Sequence, residues 1–289
     1  MKGLRPKHLL LALLTIIIWG INFIAVHEGL KVFPPFLLCA LRFGLAALPW
    51  VFFLPKPKAP FPLIMGYGIF TFTLQFGFLF SGMHLGVAPG LSSLVLQTQV
   101  FFSMGLAAVF FGDRPGAWKI IGSLISFSGI VIVAIHIDAG STFLGLILIL
   151  LAAISWAAGN MFSKKVEAHS ALALVVWGNL IALPFMVATS FFIDGPVQIM
   201  SSFRHVTWPA LLAVLYIVYL STHIGYGIWG FLLKTYPTAT VVPFTLLIPV
   251  IGFLSAAIFL GEGLPSWKLL ASLLVLGGLV FNLVEKKKK

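Results

Sequence analysis

One decapeptide is written twice in this chain. Phe110-Phe111-Gly112-Asp113-Arg114-Pro115-Gly116-Ala117-Trp118-Lys119 returns as Phe259-Leu260-Gly261-Glu262-Gly263-Leu264-Pro265-Ser266-Trp267-Lys268, and the offset of 149 residues also carries Gly129 onto Gly278. A single copy reads as a loop between two membrane helices. Two copies half a chain apart read as a duplicated membrane domain, which restricts the fold to two versions of one helical layout packed together. Duplication of this kind is the usual ground plan of secondary transporters, whose substrate sites lie between the repeats.

Composition supplies the membrane. Hydrophobic residues are 60% of 289 positions and charged residues 9%, more apolar surface than one soluble core can hide. A net charge of +11 would suggest nucleic acid in a soluble protein, but here the positive residues sit in alternate loops, so no nucleic-acid partner is expected. The single cysteine, Cys39, excludes an intrachain disulfide and any multi-cysteine metal site, and reads as a small hydrophobe in a helix. Lys2, Arg5 and Lys7 before Leu9–Ile18 mimic a secretory signal. The apolar run continues to Val26 without a small-residue cleavage site, and reads as a first transmembrane helix.

About 20 apolar residues cross the hydrocarbon as a helix. Cutting at charges and at Pro and Gly-Asp punctuation gives ten such runs: 8–26, 35–54, 61–83, 88–111, 118–137, 143–163, 171–192, 208–233, 238–260 and 267–284. Lysine and arginine then set the orientation. Fourteen fall on the side that holds both termini and three (Lys31, Arg204, Lys268) on the other, with Arg42 inside a run. Both termini are therefore expected in the cytoplasm. Each half holds five runs, an odd number, so the two decapeptides face opposite sides and the halves, 1–137 and 138–289, are inverted repeats. The fold class expected is an all-α polytopic membrane protein of ten transmembrane helices. Trp19-x-x-Asn22 in run one resembles Trp156-x-x-x-Asn160 in run six, and Leu48-Pro49 resembles Leu183-Pro184, which sets Arg42 opposite Trp177.

Polar groups are costly at membrane depth, so their faces mark where a wet cavity lies. Asp and Glu are absent from the middle of every run. In run eight, Tyr216, Tyr219, His223, Tyr226 and Gly230 recur at steps of three and four, one α-helical face. Run three repeats the pattern with Tyr67, Thr71, Gln75 and Phe78, and run four offers Ser93 and Gln97 with Gln99 on another face. Thr15, Trp19 and Asn22 share a face of run one, as do Trp156, Asn160 and Ser163 of run six. The competing reading for each amide is a hydrogen bond between helices. Arg42 is the one permanent charge well inside a run; it reads either as an anchor for a substrate carboxylate or as a structural group paired with helix-end carbonyls or Glu28. His223 is the mid-run group with a proton affinity near neutrality, and His223→Ala is expected to impair export at unchanged protein level. The substrate-binding candidates are thus Asn22, Arg42, Tyr67, Gln75, Gln97, Trp156, Asn160, Trp177, Tyr219, His223 and Tyr226.

The layout, with Ile18-Trp19-Gly20-x-Asn22-Phe23, Leu41-Arg42-Phe43, Ala88-Pro89-Gly90-Leu91-Ser92-Ser93-Leu94 and the Gly112-Asp113 and Gly261-Glu262 pairs, resembles the drug/metabolite transporter superfamily and within it the EamA family. Gly225-Tyr226-Gly227-Ile228-Trp229-Gly230 is similar to the bacterial exporters of cysteine, O-acetylserine and related amino-acid metabolites. The resemblance implies an inner-membrane exporter with a central cavity walled by runs one to four and six to nine, and runs five and ten as peripheral packing helices. Small multidrug-resistance transporters of the same superfamily carry a glutamate within the first helix. Here the nearest acid is Glu28, at the outer end of run one, so cation/proton antiport of that kind is not implied.

The function expected is secondary active export of small amino-acid-type metabolites by alternating access. The alternative is a broad drug or aromatic-compound exporter. No nucleotide-binding Gly-x-x-x-x-Gly-Lys-Ser/Thr, His-Glu-x-x-His or Gly-x-Ser-x-Gly appears, which argues against direct ATP drive and against an enzyme. The partners expected are a small-molecule substrate and membrane lipid, with no cofactor or metal, in a monomer or weak homodimer.

Overall fold

The computed structural model describes residues 5–111, 117–136, 142–166, 170–236 and 241–284. Every regular element among them is helical, with no strand. Seven helices are long and apolar enough to cross a membrane: Pro6–Leu30, Pro35–Phe52, Phe61–His84, Pro89–Phe110, Phe143–Ser163, Ala171–Asp194 and Trp208–Trp229. Three shorter apolar helices, Ile120–Ile135, Ile248–Leu260 and Ser266–Gly278, fall in runs five, nine and ten. Cys39 is buried in run two, and the middle of the first decapeptide copy, residues 112–116, lies outside the described residues.

Prolines open these helices. Pro6, Pro35 and Pro89 occupy first helical positions, where the missing N–H would have no intrahelical partner. One helix, Pro196–Arg204, lies outside the ten runs. It is too short to cross and too mixed in composition to register as apolar, and it is set off from run seven by Gly195 at φ +83°, a left-handed conformation that favours glycine. Its Val197, Met200 and Phe203 are exposed.

Small residues bring the helices together. Runs five and ten cross where Ser126 Oγ donates to Val275 O at 2.8 Å, two positions related by the 149-residue offset. On either side, Gly129 backs onto the Ala271 carbonyl and Gly278 onto the Gly122 carbonyl and Ser126, so the two helices run antiparallel. Runs two and seven are antiparallel as well: Leu37 N–H donates to Asp194 Oδ2 at 2.8 Å near one end, and Trp177 Nε1 donates to the Leu54 carbonyl at 3.2 Å near the other. Run six lies along run three, with Gly82 against Gly145, Gly159 against Thr71 and Gly66 against Phe162. Run nine packs on runs one and four through Gly20 against Ile251, Gly252 against Ser93 and Gly90 against Phe253. In each case a side chain larger than hydrogen would hold the backbones apart.

The second decapeptide copy shows what its residues do. Gly261 takes the left-handed conformation (φ +67°) that ends the helix Ile248–Leu260, and Glu262 N–H reaches back to Ala256 O at 3.2 Å. Lys268 Nζ stands 3.7 Å from Glu262 and donates to Gly263 O at 3.2 Å, and Trp267 stacks on His136 of run five. The loop is scaffold.

Four runs are irregular at mid-depth. Ile69–Leu74 of run three and Tyr216–Gly225 of run eight are π-helical. Run four breaks at Gln97-Thr98, between Pro89–Leu96 and Gln99–Phe111. Run nine passes from a 3-10 segment, Val242–Leu247, to the α-helix at Ile248. These irregularities surround one point.

Candidate functional site

That point is a cavity of about 60 Å³, room for a few water molecules. Trp19, Asn22 and Phe23 of run one face it, with Arg42 of run two, Gln75, Phe76 and Leu79 of run three, and Leu96 and Gln97 at the break of run four. Trp156 of run six, Ser221 and Tyr226 of run eight, and Ile248 of run nine complete it. No lining residue is Asp, Glu, Lys or His.

Arg42 dominates its electrostatics. The side chain is 2% exposed, and its guanidinium carbon lies 4.0 Å above the centre of the Phe76 ring. Nε and Nη1 are buried without a hydrogen-bond partner. Glu28, the acid that could have neutralised it, pairs instead with Lys31 at 2.6 Å. A charge at this depth costs about 2.5–3.5 kcal/mol on insertion scales. The ring face returns about 2 kcal/mol when desolvated. The guanidinium is therefore short of an anion.

Local winding decides which side chains meet it. Gln75 is the first residue after the π-helical stretch of run three, and Gln97 caps the first half of run four at its break. In run eight the π-helix replaces the expected face. Tyr216, Ser221 and Tyr226, five residues apart, all meet run one: Tyr216 Oη donates to Ile18 O at 2.8 Å, Trp19 Nε1 donates to Ser221 O at 3.1 Å, and the Trp19 and Tyr226 rings are 5.2 Å apart. A step of five follows from i→i+5 bonding, where an α-helix would step by three and four. Tyr219 and His223 are turned off that face. Tyr219 is 41% exposed, and His223 lies between its ring and Trp50 with Nε2 3.0 Å from Ala46 O, a carbonyl in the last turn of the helix that carries Arg42.

Of the eleven candidates, Asn22, Arg42, Gln75, Gln97, Trp156 and Tyr226 line the cavity together. Tyr67 is buried against Phe72 and Gly178, between runs three and seven. Asn160 donates to Gln99 Oε1 at 3.2 Å and to Ser103 Oγ at 3.3 Å, joining runs six and four. Trp177 closes the end of run two through Leu54 O. Trp19 and Ser221 enter the site beyond those candidates. Trp19 shares the run-one face with Asn22, a signal already in the sequence, whereas Ser221 is reached only through the π winding.

Comparison with known proteins places these features in a family. The model of the EamA-like transporter family matches the chain twice, over residues 6–135 and 143–284. A probable amino-acid metabolite efflux pump of Escherichia coli (strain K12) is 40% identical over 279 residues, covering 94% of this chain and 93% of its own. A protein of the same name from Salmonella typhimurium is 41% identical over 280 residues, with the same coverage. A solved crystal structure, 19% identical, shares the fold with a TM-score of 0.64 over 96% of both chains.

Proposed function

This chain belongs to the EamA-like transporter family, a multi-pass membrane protein, and on that premise we propose that it is a secondary exporter of amino-acid-type metabolites in a bacterial inner membrane. The observation that carries the substrate class is Arg42, a buried cation with two unpartnered nitrogens in a cavity whose other lining groups are neutral. A substrate carboxylate supplies the missing anion through charge-assisted hydrogen bonds. The two relatives, both named as probable amino-acid metabolite efflux pumps, point the same way.

Alternating access between two inverted repeats is the mechanism that fits. Antiparallel packing of run two on run seven and of run five on run ten supports inversion, since these are repeat-related pairs. So does the fall of the irregular segments on runs three and eight and on runs four and nine. The sidedness of lysine and arginine supports an orientation with both termini in the cytoplasm. A cavity of about 60 Å³ is far below the roughly 300 Å³ at which small-molecule pockets begin, so the runs must part before substrate enters. Trp19, Trp156 and Tyr226 would then wall the substrate's side chain. The same aromatics favour a second reading, a broad exporter of aromatic compounds.

Proteoliposomes loaded with radiolabelled cysteine, O-acetylserine or a fluorescent aromatic dye separate the two, with and without a pH gradient. Saturable amino-acid efflux without dye efflux supports the first reading. Dye efflux alone supports the second, and no movement of any solute refutes both.

A further inference from the structure

Arg42 accounts for one end of the cavity. Besides Ser221, Tyr226 and the indoles of Trp19 and Trp156, its polar lining is three amides: Asn22, Gln75 and Gln97, 6%, 2% and 2% exposed, from three different runs. The oxygen of each, Asn22 Oδ1, Gln75 Oε1 and Gln97 Oε1, is buried without a hydrogen-bond partner. Buried polar atoms in native proteins are nearly always satisfied, so three orphans on one small cavity need a common explanation. Asn179 Oδ1, away from the cavity, is buried without a partner as well, so what sets these three apart is that they come from three runs to one cavity.

We propose that these three oxygens form an ammonium subsite, so that the cavity selects zwitterions with a free α-amino group; the proposal rests on the amino-acid exporter reading above. A primary ammonium carries three N–H donors, and three residues that line the cavity each hold one vacant acceptor. A metal cation is a poorer match. Hard cations take six or more oxygens, and one beside Arg42 would meet an unscreened positive charge. A zwitterion brings its own anion, setting carboxylate between guanidinium and ammonium in the order plus, minus, plus. The side chain then meets a wall that is aromatic and aliphatic apart from Ser221, which tolerates variation in shape. Selection falls on the backbone end of the amino acid.

Four small thiols that share one side chain test this in proteoliposomes. Efflux of radiolabelled cysteine is measured against unlabelled cysteine, 3-mercaptolactate (hydroxyl for ammonium), N-acetylcysteine (amide for ammonium) and cysteamine (no carboxylate), each loaded inside. Cysteine is expected to compete and the other three to compete at least tenfold less well, because a site built to hydrogen-bond a group rejects analogues that lack it. Gln75→Met and Gln97→Met are expected to narrow the gap between cysteine and 3-mercaptolactate, while Arg42→Gln is expected to lose cysteine efflux itself. Equal competition by 3-mercaptolactate or N-acetylcysteine overturns the ammonium subsite and leaves the exporter reading standing. Vesicles that move neither cysteine, O-acetylserine nor a labelled mixture of the common amino acids overturn that reading, and the subsite with it. The analogue series is run on the unaltered protein, so the result does not depend on any variant folding.

Discussion

Replacing Arg42 by methionine sets function against stability in one measurement. The guanidinium is buried, short of an anion, and lies 4.0 Å from the centre of the Phe76 ring. Removing it recovers about 2.5–3.5 kcal/mol of insertion cost. It forfeits about 2 kcal/mol of cation–π attraction. Methionine fills the same volume and makes its own favourable contact with the ring. The balance is about 1 kcal/mol in favour of the variant, or about 2–4 °C in melting temperature for a chain of this size. Arg42→Met is therefore expected to melt at or above the unaltered protein in lipid nanodiscs while losing cysteine efflux. Cysteine should raise the melting temperature of the unaltered protein and leave that of the variant unchanged. A clear fall in the melting temperature of Arg42→Met without ligand would make the guanidinium a structural group, and retained efflux would remove it from the substrate site.

Three further outcomes are expected. Gly129→Ala and Gly278→Ala should each destabilise the protein, because crowding of the facing carbonyl costs about 1–3 kcal/mol and outweighs the gain in helix propensity of about 1 kcal/mol; a rise in melting temperature for either would refute the packing of runs five and ten. Burial pushes the Glu262 carboxyl above its ordinary range, with Lys268 opposing. Its charged form therefore costs stability above the raised value, and Glu262→Gln should stabilise the protein at neutral pH by an amount that shrinks as pH falls; melts across a pH series check this, and a gain that grows on acidification would contradict it. His223→Gln keeps a donor for the Ala46 carbonyl and should restore the export that His223→Ala loses, with an unaltered pH profile of efflux; a flattened profile would bring the imidazole into proton coupling.

The helices were legible because lipid writes them plainly. Long apolar runs, charges at their ends and prolines at first helical positions mark where each begins, and Pro6, Pro35 and Pro89 do so in the structure. The helix Pro196–Arg204 escaped because nine residues of mixed polarity leave no apolar run. Half the lining of the candidate cavity was legible for a related reason. Asn22, Arg42, Gln75 and Gln97 are polar where polarity is costly, and all four line the cavity. Asn160 and Trp177 carry the same signal and spend it on neighbouring helices, a difference set by partners far away in sequence. In run eight Tyr226 lines the cavity but Tyr219 and His223 do not, because the α period does not hold through a π-helical stretch.

That stretch has a consequence for how the chain tolerates insertions and deletions. In an α-helix each residue turns the next by about 100° and advances it by about 1.5 Å. Tyr226 reaches Trp19 only after Tyr216–Gly225 has wound more loosely than that. Deleting one residue between 217 and 220 allows the segment to close into tighter turns and swings everything after it around the helix, away from the cavity, with every cavity side chain still present. Length within run eight is thus as selective as residue identity, and a relative one residue shorter there would carry its tyrosine on a different wall.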